Sequence, residues 1–266
     1  MLYIDSYYQH STKISHDENG DKAFTWIFDT TPSKGEKIAV FCVLDGVTHT
    51  DSAAQSSALA AKEIRNSLTS LFVDSDALSD ADEASRTQYF FSVMREALLS
   101  ADSLLWSSIE LYACTASIAI VFGEYVYTAN VGDSPIYLAN TLTQDLTEIF
   151  TCQNQVGYQV LQGVLTKEEA LTAKGKNRLL KSIGGKKARL TDIDISTHKT
   201  PLPQDGILLL GSDGSLSAFS EDKLKDIVFS NCGDMKDLCE GVYNQVISEN
   251  GEDDFTLIAS RIHIIY

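Results

Sequence analysis

Basic residues are scarce in this chain. Lys and Arg number 21 against 37 Asp and Glu, for a formal net charge of −16 at pH 7. Phosphate backbones bind basic surfaces, so this balance excludes a nucleic-acid-binding face. Lys174, Lys176 and Arg178, with Lys186 and Lys187, are local clusters only. Long hydrophobic runs are also missing: the longest clean one, residues 38–44, is far short of the roughly 20 residues a membrane span needs. Residues 1–5 show neither a basic n-region nor an apolar h-region, so the expectation is a soluble, cytoplasmic protein with no membrane partner. The five cysteines are odd in number and form no Cys-x-x-Cys pair, which argues for reduced thiols over a disulfide framework. Five scattered histidines without His-Glu-x-x-His speak against a zinc hydrolase. A Gly-x-Ser-x-Gly elbow and a complete phosphate loop are likewise absent. Prolines number only four, and no proline-rich linker, repeat or low-complexity segment divides the 266 residues. A chain of that length, 44% apolar, is expected to form a single domain over 1–266.

What is present is periodicity. Residues 38–44, IAVFCVL, read as a buried strand. After Asp51-Ser52, a capping pair, Ala61, Ile64, Leu68 and Leu71 recur at helical spacing. Residues 73–84 are acidic and serine-rich and read as a loop. A second helix carries Phe90, Met94, Ala97, Ala101 and Leu105 on one face. Strands follow at Ala116–Phe122 and Tyr125–Val131 with Gly123-Glu124 as the turn, then at 136–138. Thr166-Lys-Glu-Glu169 has capping-box spacing and opens a short helix through Ala173. Strands at 207–210 and 256–264 flank an amphipathic helical stretch over 224–247. Adjacent strands with tight turns, beside long helices in succession, favour antiparallel sheets covered by helices over a βαβ winding.

Four aspartates lie at the ends of these strand-like runs: Asp45, Asp133, Asp213 and Asp253. Glycine follows at once in Asp45-Gly46 and Asp213-Gly214. A carboxylate at a strand end, beside backbone that can approach closely, suits a hard divalent cation. All-oxygen ligation fits magnesium or manganese and fits neither zinc nor copper. Singly, each has a plain reading, because Asp-Gly is a common turn and Asp253 sits in an acidic Glu-Asp-Asp run. Asp17-x-Asn19-x-Asp21 begins like a calcium loop, but Lys22 takes the glycine position and Phe28 the glutamate position.

Taken in order, Val43-Leu-Asp45-Gly46, Ala129-Asn-Val-Gly-Asp133-Ser134, Leu210-Gly-Ser-Asp213-Gly214 and Asp253-Asp-Phe-Thr256 resemble the motifs of the metal-dependent protein phosphatase 2C (PPM) family, in its bacterial serine/threonine form. Residues 163–170 and 177–185 are similar to the segment that such phosphatases carry after Gly-Asp-Ser. The resemblance implies an α+β fold, a four-layer αββα sandwich of two antiparallel sheets flanked by helices. It also implies a centre of two Mn2+ or Mg2+ ions, with a third bound more weakly. By position, Asp45 is the bridging carboxylate, Gly46 offers its carbonyl, Asp213 and Asp253 complete the pair, and Asp133 serves the third ion. Asn19-Gly20-Asp21 matches the N-terminal motif, with Asp21 holding water more than metal. The implied activity is hydrolysis of phosphoserine and phosphothreonine by in-line attack of a water bridging the two ions. The implied partners are phosphorylated proteins and a cognate serine/threonine kinase. The implied flap spans about residues 152–187.

Departures from the pattern bear on function. His16 stands where the family has a phosphate-gripping arginine, with Lys13 nearby; histidine is partly charged at neutral pH and makes no bidentate fork. Val47-Thr-His49-Thr replaces a glycine pair and puts His49 within reach of the site. Pro135 replaces an arginine, and Asp254 replaces an asparagine. Two rivals follow: a catalytically weak regulatory or phosphoprotein-binding domain, and an enzyme for small phosphate esters.

Overall fold

A computed structural model describes residues 2–14, 18–30 and 36–264. The chain opens with β1 (Leu2–Thr12), β2 (Lys22–Asp29) and β3 (Lys37–Leu44), then α1 (Ala53–Ser67), α2 (Ser70–Asp80) and α3 (Glu83–Ser107). Next come β4 (Ala113–Cys114), β5 (Ala116–Phe122), β6 (Tyr125–Val131), β7 (Ile136–Asn140) and β8 (Asp145–Glu148). Short helices α4 (Gln155–Leu161) and α5 (Lys167–Thr172) precede β9 (Ile183–Gly184), β10 (Ser196–Pro201) and β11 (Asp205–Gly211). The last elements are α6 (Asp213–Leu216), α7 (Glu221–Ser230), α8 (Met235–Ser248) and β12 (Phe255–Ile264).

Two five-stranded antiparallel sheets result, ordered β1-β12-β11-β7-β8 and β10-β6-β5-β3-β2, while β4 and β9 pair as a small ribbon. The two-residue period of β3 explains the layering. Ile38, Val40, Cys42 and Leu44 pack with Ile64 of α1 and Phe90, Met94 and Leu98 of α3. Ala39, Phe41 and Val43 point the other way, onto Leu208, Leu210 and Ile258 of the facing sheet. Along β11, Leu208 and Leu210 face that interior while Ile207 and Leu209 meet Leu224, Leu238 and Val242 of the second helical layer. A strand apolar on both faces must be covered on both, and the order helix, sheet, sheet, helix is the expected αββα sandwich. Each fully buried Leu, Ile or Phe contributes about 1.5–3 kcal/mol relative to exposure.

Several expectations hold in detail. Ser52 caps α1 by accepting from the Gln55 N–H. Thr166 and Glu169 form the full capping box of α5. Gly123 takes a φ of 60° at the β5–β6 turn. All five cysteines are unbridged. As a separate fact about helices alone, none among the described residues is long and apolar enough to cross a membrane.

Two expectations need correction. The acidic stretch read as a loop is largely helix α2, because Leu71 and Leu78, seven residues apart, are both buried under it. The helical stretch over 224–247 is two helices. Asn231 ends α7 and Asp234 caps α8, accepting from the Lys236 and Asp237 N–H groups. The six strands legible as apolar runs are all interior to their sheets; β1, β2, β8 and β10, which show no such run, are the four sheet edges.

Candidate metal centre

Each of the strand-end aspartates is fixed by local backbone chemistry before any ion is considered. Asp45 follows β3, and its N–H donates to Thr115 Oγ1 at 3.2 Å while its carbonyl accepts from Thr115 N–H at 2.8 Å. Gly46 is pressed against the start of α1: a Cβ there would lie 2.2 Å from the Ala53 carbonyl oxygen. Only glycine lets the chain pass so close. Asp213 opens α6 directly after β11. Its neighbour Ser212 is bound to β12 both ways, donating N–H to the Thr256 carbonyl (3.0 Å) and accepting the Thr256 N–H at Oγ (3.1 Å). A Cβ on Gly214 would lie 2.2 Å from the Asp254 carbonyl oxygen, so the 213 and 253 corners meet backbone to backbone.

The N-terminal motif reaches the same place. Asn19 Oδ1 accepts the Asp21 N–H at 2.7 Å in an Asx turn. The Gly20 N–H donates to Asp254 Oδ2 at 2.7 Å, and Ser57 Oγ of α1 donates to the Gly20 carbonyl at 2.5 Å. Asp254, the departure from the family asparagine, is therefore a buried tie between the two ends of the chain. Asp133 follows β6 after Gly132, whose φ is 100° and whose Cβ position is filled by Thr115. Thr115 and Ser134 share a hydroxyl hydrogen bond at 2.6 Å. One threonine thus braces Asp45 on one side and the Gly132-Asp133-Ser134 corner on the other. It carries no motif of its own: it is the single residue between β4 and β5.

Electrostatically the cluster is unsatisfied. Asp21 and Asp133 are 3% and 5% exposed. Burial first, then Asp213 and Asp254, push the Asp21 carboxyl up to about 7, against partial relief from the Ser212 and Thr256 hydroxyls. Burial and then Asp213 push Asp133 up to about 7, opposed by Asn154. Asp45 rises well above the usual carboxylate range through burial, then through Asp213 and Asp21. Neither oxygen of Asp21 has a hydrogen bond of good geometry. The unpartnered buried oxygens of Asp21, beside the carboxylates of Asp45, Asp213, Asp133 and Asp253, make an all-oxygen donor set that fits a hard divalent cation. Among the described residues, no three His, Cys, Asp or Glu side chains are grouped closely enough to hold a metal ion by themselves. Magnesium needs fewer protein ligands than that, because it keeps several waters and is held through one or two carboxylates.

Asp133, Asp213 and Asp253 line a cleft of about 990 Å3. Phe150, Val156 and Phe219 line it as well, and residues of α4 and α5 form part of its wall. Lys167 of α5 reaches both Glu148 (2.8 Å) and Glu221 (2.9 Å), tying that wall to β8 and α7. Thr48 reaches the cleft, whereas His49 is exposed and the turn closes on itself through Thr50 and Val47. Lys13 is exposed just beyond β1, and His16 lies outside the described residues. The Pro135 carbonyl accepts from Gly211 N–H, joining β7 to β11.

Known proteins share the architecture, and a family model matches the first part of the chain. The family model described as protein phosphatase 2C matches residues 12–152. Among solved structures, the serine/threonine phosphatase Stp1 from Staphylococcus aureus superposes with a TM-score of 0.76 at 22% identity, covering 99% of this chain and 96% of that one. The Mycobacterium tuberculosis serine/threonine phosphatase PstP/Ppp gives 0.73 at 17% identity, covering 99% of each. The catalytic domain of PstP in complex with two manganese ions gives 0.70 at 16%, covering 99% of this chain and all of that one. No curated protein sequence matches.

Proposed function

Because the chain belongs to the protein phosphatase 2C family, we propose that it is a metal-dependent phosphatase for phosphoserine and phosphothreonine in proteins. The observation that carries this reading is the gathering of buried Asp21 and Asp133 and half-buried Asp45 beside Asp213 and Asp253 at one end of the sandwich, close enough to raise carboxylate pKa values. Asp45, the Gly46 carbonyl, Asp213 and Asp253 would hold two Mn2+ or Mg2+ ions, Asp133 a third, and Asp21 would orient water. When bound, such ions supply positive charge for phosphoryl oxygens and acidify water toward neutrality.

The chain's own residues do the rest. Thr115 and Ser212 hold Asp45 and Asp213 at fixed backbone positions, which limits reorganisation during reaction. Without cations the five carboxylates repel a phosphate ester, so activity should be metal-dependent. Covalent catalysis by cysteine is disfavoured. The Cys152 thiol lines the cleft, but burial and then Asp133 push its pKa up to about 12, so it stays protonated and poorly nucleophilic. Ser134 and Ser212 are fully buried and engaged in hydrogen bonds.

The substrates would be phosphorylated cytoplasmic proteins and the kinase that modifies them. The stretch 152–187 would be the flap of one phosphatase domain spanning 1–266. The test is hydrolysis of a phosphothreonine peptide with manganese, with EDTA, and by Asp213→Asn. Phosphate release should depend on metal, stop on chelation and fall by orders of magnitude in the variant. Manganese binding without turnover of peptide or small ester would instead support a regulatory domain. Preference for the small ester would relocate the substrate, because a protein phosphatase draws rate from contacts beyond the phosphate.

A further inference from the structure

Asp133 is held by a residue of the segment beside the cleft. Asn154 Nδ2 donates to Asp133 Oδ2 at 2.9 Å, and Asn154 Oδ1 accepts the Gly157 N–H at 2.7 Å, which caps α4. The orientation of the amide follows from chemistry. A backbone N–H can only donate, so the oxygen must face Gly157 and the NH2 group must face the carboxylate. Both bonds belong to one rigid planar group, so a rotation that releases Asp133 also uncaps the helix.

The surrounding backbone makes this a junction. Gln153 and Gly132 bond reciprocally, Gln153 N–H to the Gly132 carbonyl (3.0 Å) and Gly132 N–H to Gln153 Oε1 (2.9 Å). The returning arm of the same segment pairs here too: Leu180 N–H donates to the Gln153 carbonyl and Gln155 N–H to the Arg178 carbonyl, each at 2.9 Å. Asn154 is 9% exposed. It therefore lies where the outgoing and returning arms of the segment meet the candidate metal carboxylate.

We infer that Asn154 is a positioning residue that couples the segment holding α4 to the metal centre, orienting Asp133 for a divalent ion and passing the ion's occupancy to the helix. This rests on the metal-dependent reading above. The side-chain type is specific to the task. Aspartate would cap but repel Asp133, and serine would cap but lack a second arm. Coupling between two sites is reciprocal: if the cap steadies Asp133, a bound ion must steady the cap.

The experiment uses the full chain, manganese alone as the probe, and Asn154→Ser, which keeps a good N-cap. Manganese binding is followed by calorimetry, and hydrogen exchange is followed at the amides of Gly157, Tyr158 and Leu180. Wild-type protein should show slower exchange at all three amides on adding manganese. Asn154→Ser should bind the weakest ion about 10- to 100-fold less tightly, as expected when the partner of a metal-ligating carboxylate is removed. It should keep its metal-free melting temperature within a few degrees and lose the manganese-induced protection. Wild-type affinity and wild-type protection in Asn154→Ser would overturn the inference and leave the phosphatase reading standing. Unchanged exchange in manganese-bound wild type would overturn the coupling whatever the variant does. A wild-type chain that binds no manganese overturns both.

Discussion

Removing divalent ions should reverse the usual gain in stability from acidic to neutral pH. Asp21 and Asp133 are held at about 7 instead of 3.8, chiefly by burial and then by neighbouring carboxylates. Asp45 is raised further by the same causes. A carboxyl with a raised folded pKa keeps a proton that the unfolded chain releases. Its stabilising effect is complete below about pH 4 and is lost as pH rises to about 7. A tenfold change in proton affinity corresponds to about 1.4 kcal/mol, so Asp21 and Asp133 each withdraw about 3 kcal/mol between pH 5 and 7. Both are raised in part by Asp213, so their contributions are less than additive. Two histidines act in the opposite sense. Burial lowers the pKa of both His10 and His198, so each contributes stability that is present above about pH 6.5 and lost on acidification. They offset only part of the effect. At Asp205, burial is outweighed by the Arg261 guanidinium and the Thr141 hydroxyl, and its contribution is lost only below about pH 4. A net change of several kcal/mol corresponds to roughly 10 °C for a chain of this size. Thermal melts in EDTA by circular dichroism should therefore show a melting temperature roughly 10 °C lower at pH 8 than at pH 5. Saturating manganese should raise it by more at pH 8, since each ion at 100 times its Kd adds about 2.7 kcal/mol and protons compete for the same oxygens. A metal-free melting temperature that is flat or rises from pH 5 to 8, or a manganese shift equal at both, would contradict this account of the buried carboxylates.

Two further outcomes follow from the packing. Gly214→Ala places a methyl 2.2 Å from the Asp254 carbonyl oxygen and 3.0 Å from Asp253 Cβ. It should cost about 1–3 kcal/mol in a chemical denaturation curve and weaken manganese binding by spreading the 213 and 253 corners; unchanged affinity would show that those corners do not share an ion. Asp102, fully buried on α3, accepts from the N–H groups of Gly184 and Leu190 and from Arg189 Nε. Asp102→Ala strands two backbone donors and should cost roughly 2–5 kcal/mol, with faster hydrogen exchange at Gly184. That ribbon runs through β4 to the Gly46–Cys114 bridge, so manganese affinity should fall as well.

The boundary between what was legible and what was not follows solvent. Strands β3, β5, β6, β7, β11 and β12 are interior to their sheets, paired on both sides and covered on both faces. Their sequences had to be apolar, and that was legible. The edge strand β10 reads Ser-Thr-His-Lys-Thr-Pro and is half-exposed along most of its length. Its extended form comes from pairing with β6, a partner about seventy positions away that no local pattern announces. Helix α2 likewise exists because Leu71 and Leu78 find a core to enter, although its composition resembles a loop.

The site divides in the same way. Carboxylates at strand ends are a local signature, so Asp45, Asp133, Asp213 and Asp253 could be picked out, and their order identified the family. The sequence also showed that Asp254 and His49 depart from the pattern, but not what each does. Folding makes Asp254 a tie to Gly20 and leaves His49 in solvent. Thr115 and Asn154 carry no motif of their own. They matter because the β4–β5 corner and the start of α4 arrive beside Asp45 and Asp133. Residue type and spacing set which groups can bind a cation; which neighbours hold those groups in place depends on contacts between distant parts of the chain, and those exist only once it has folded.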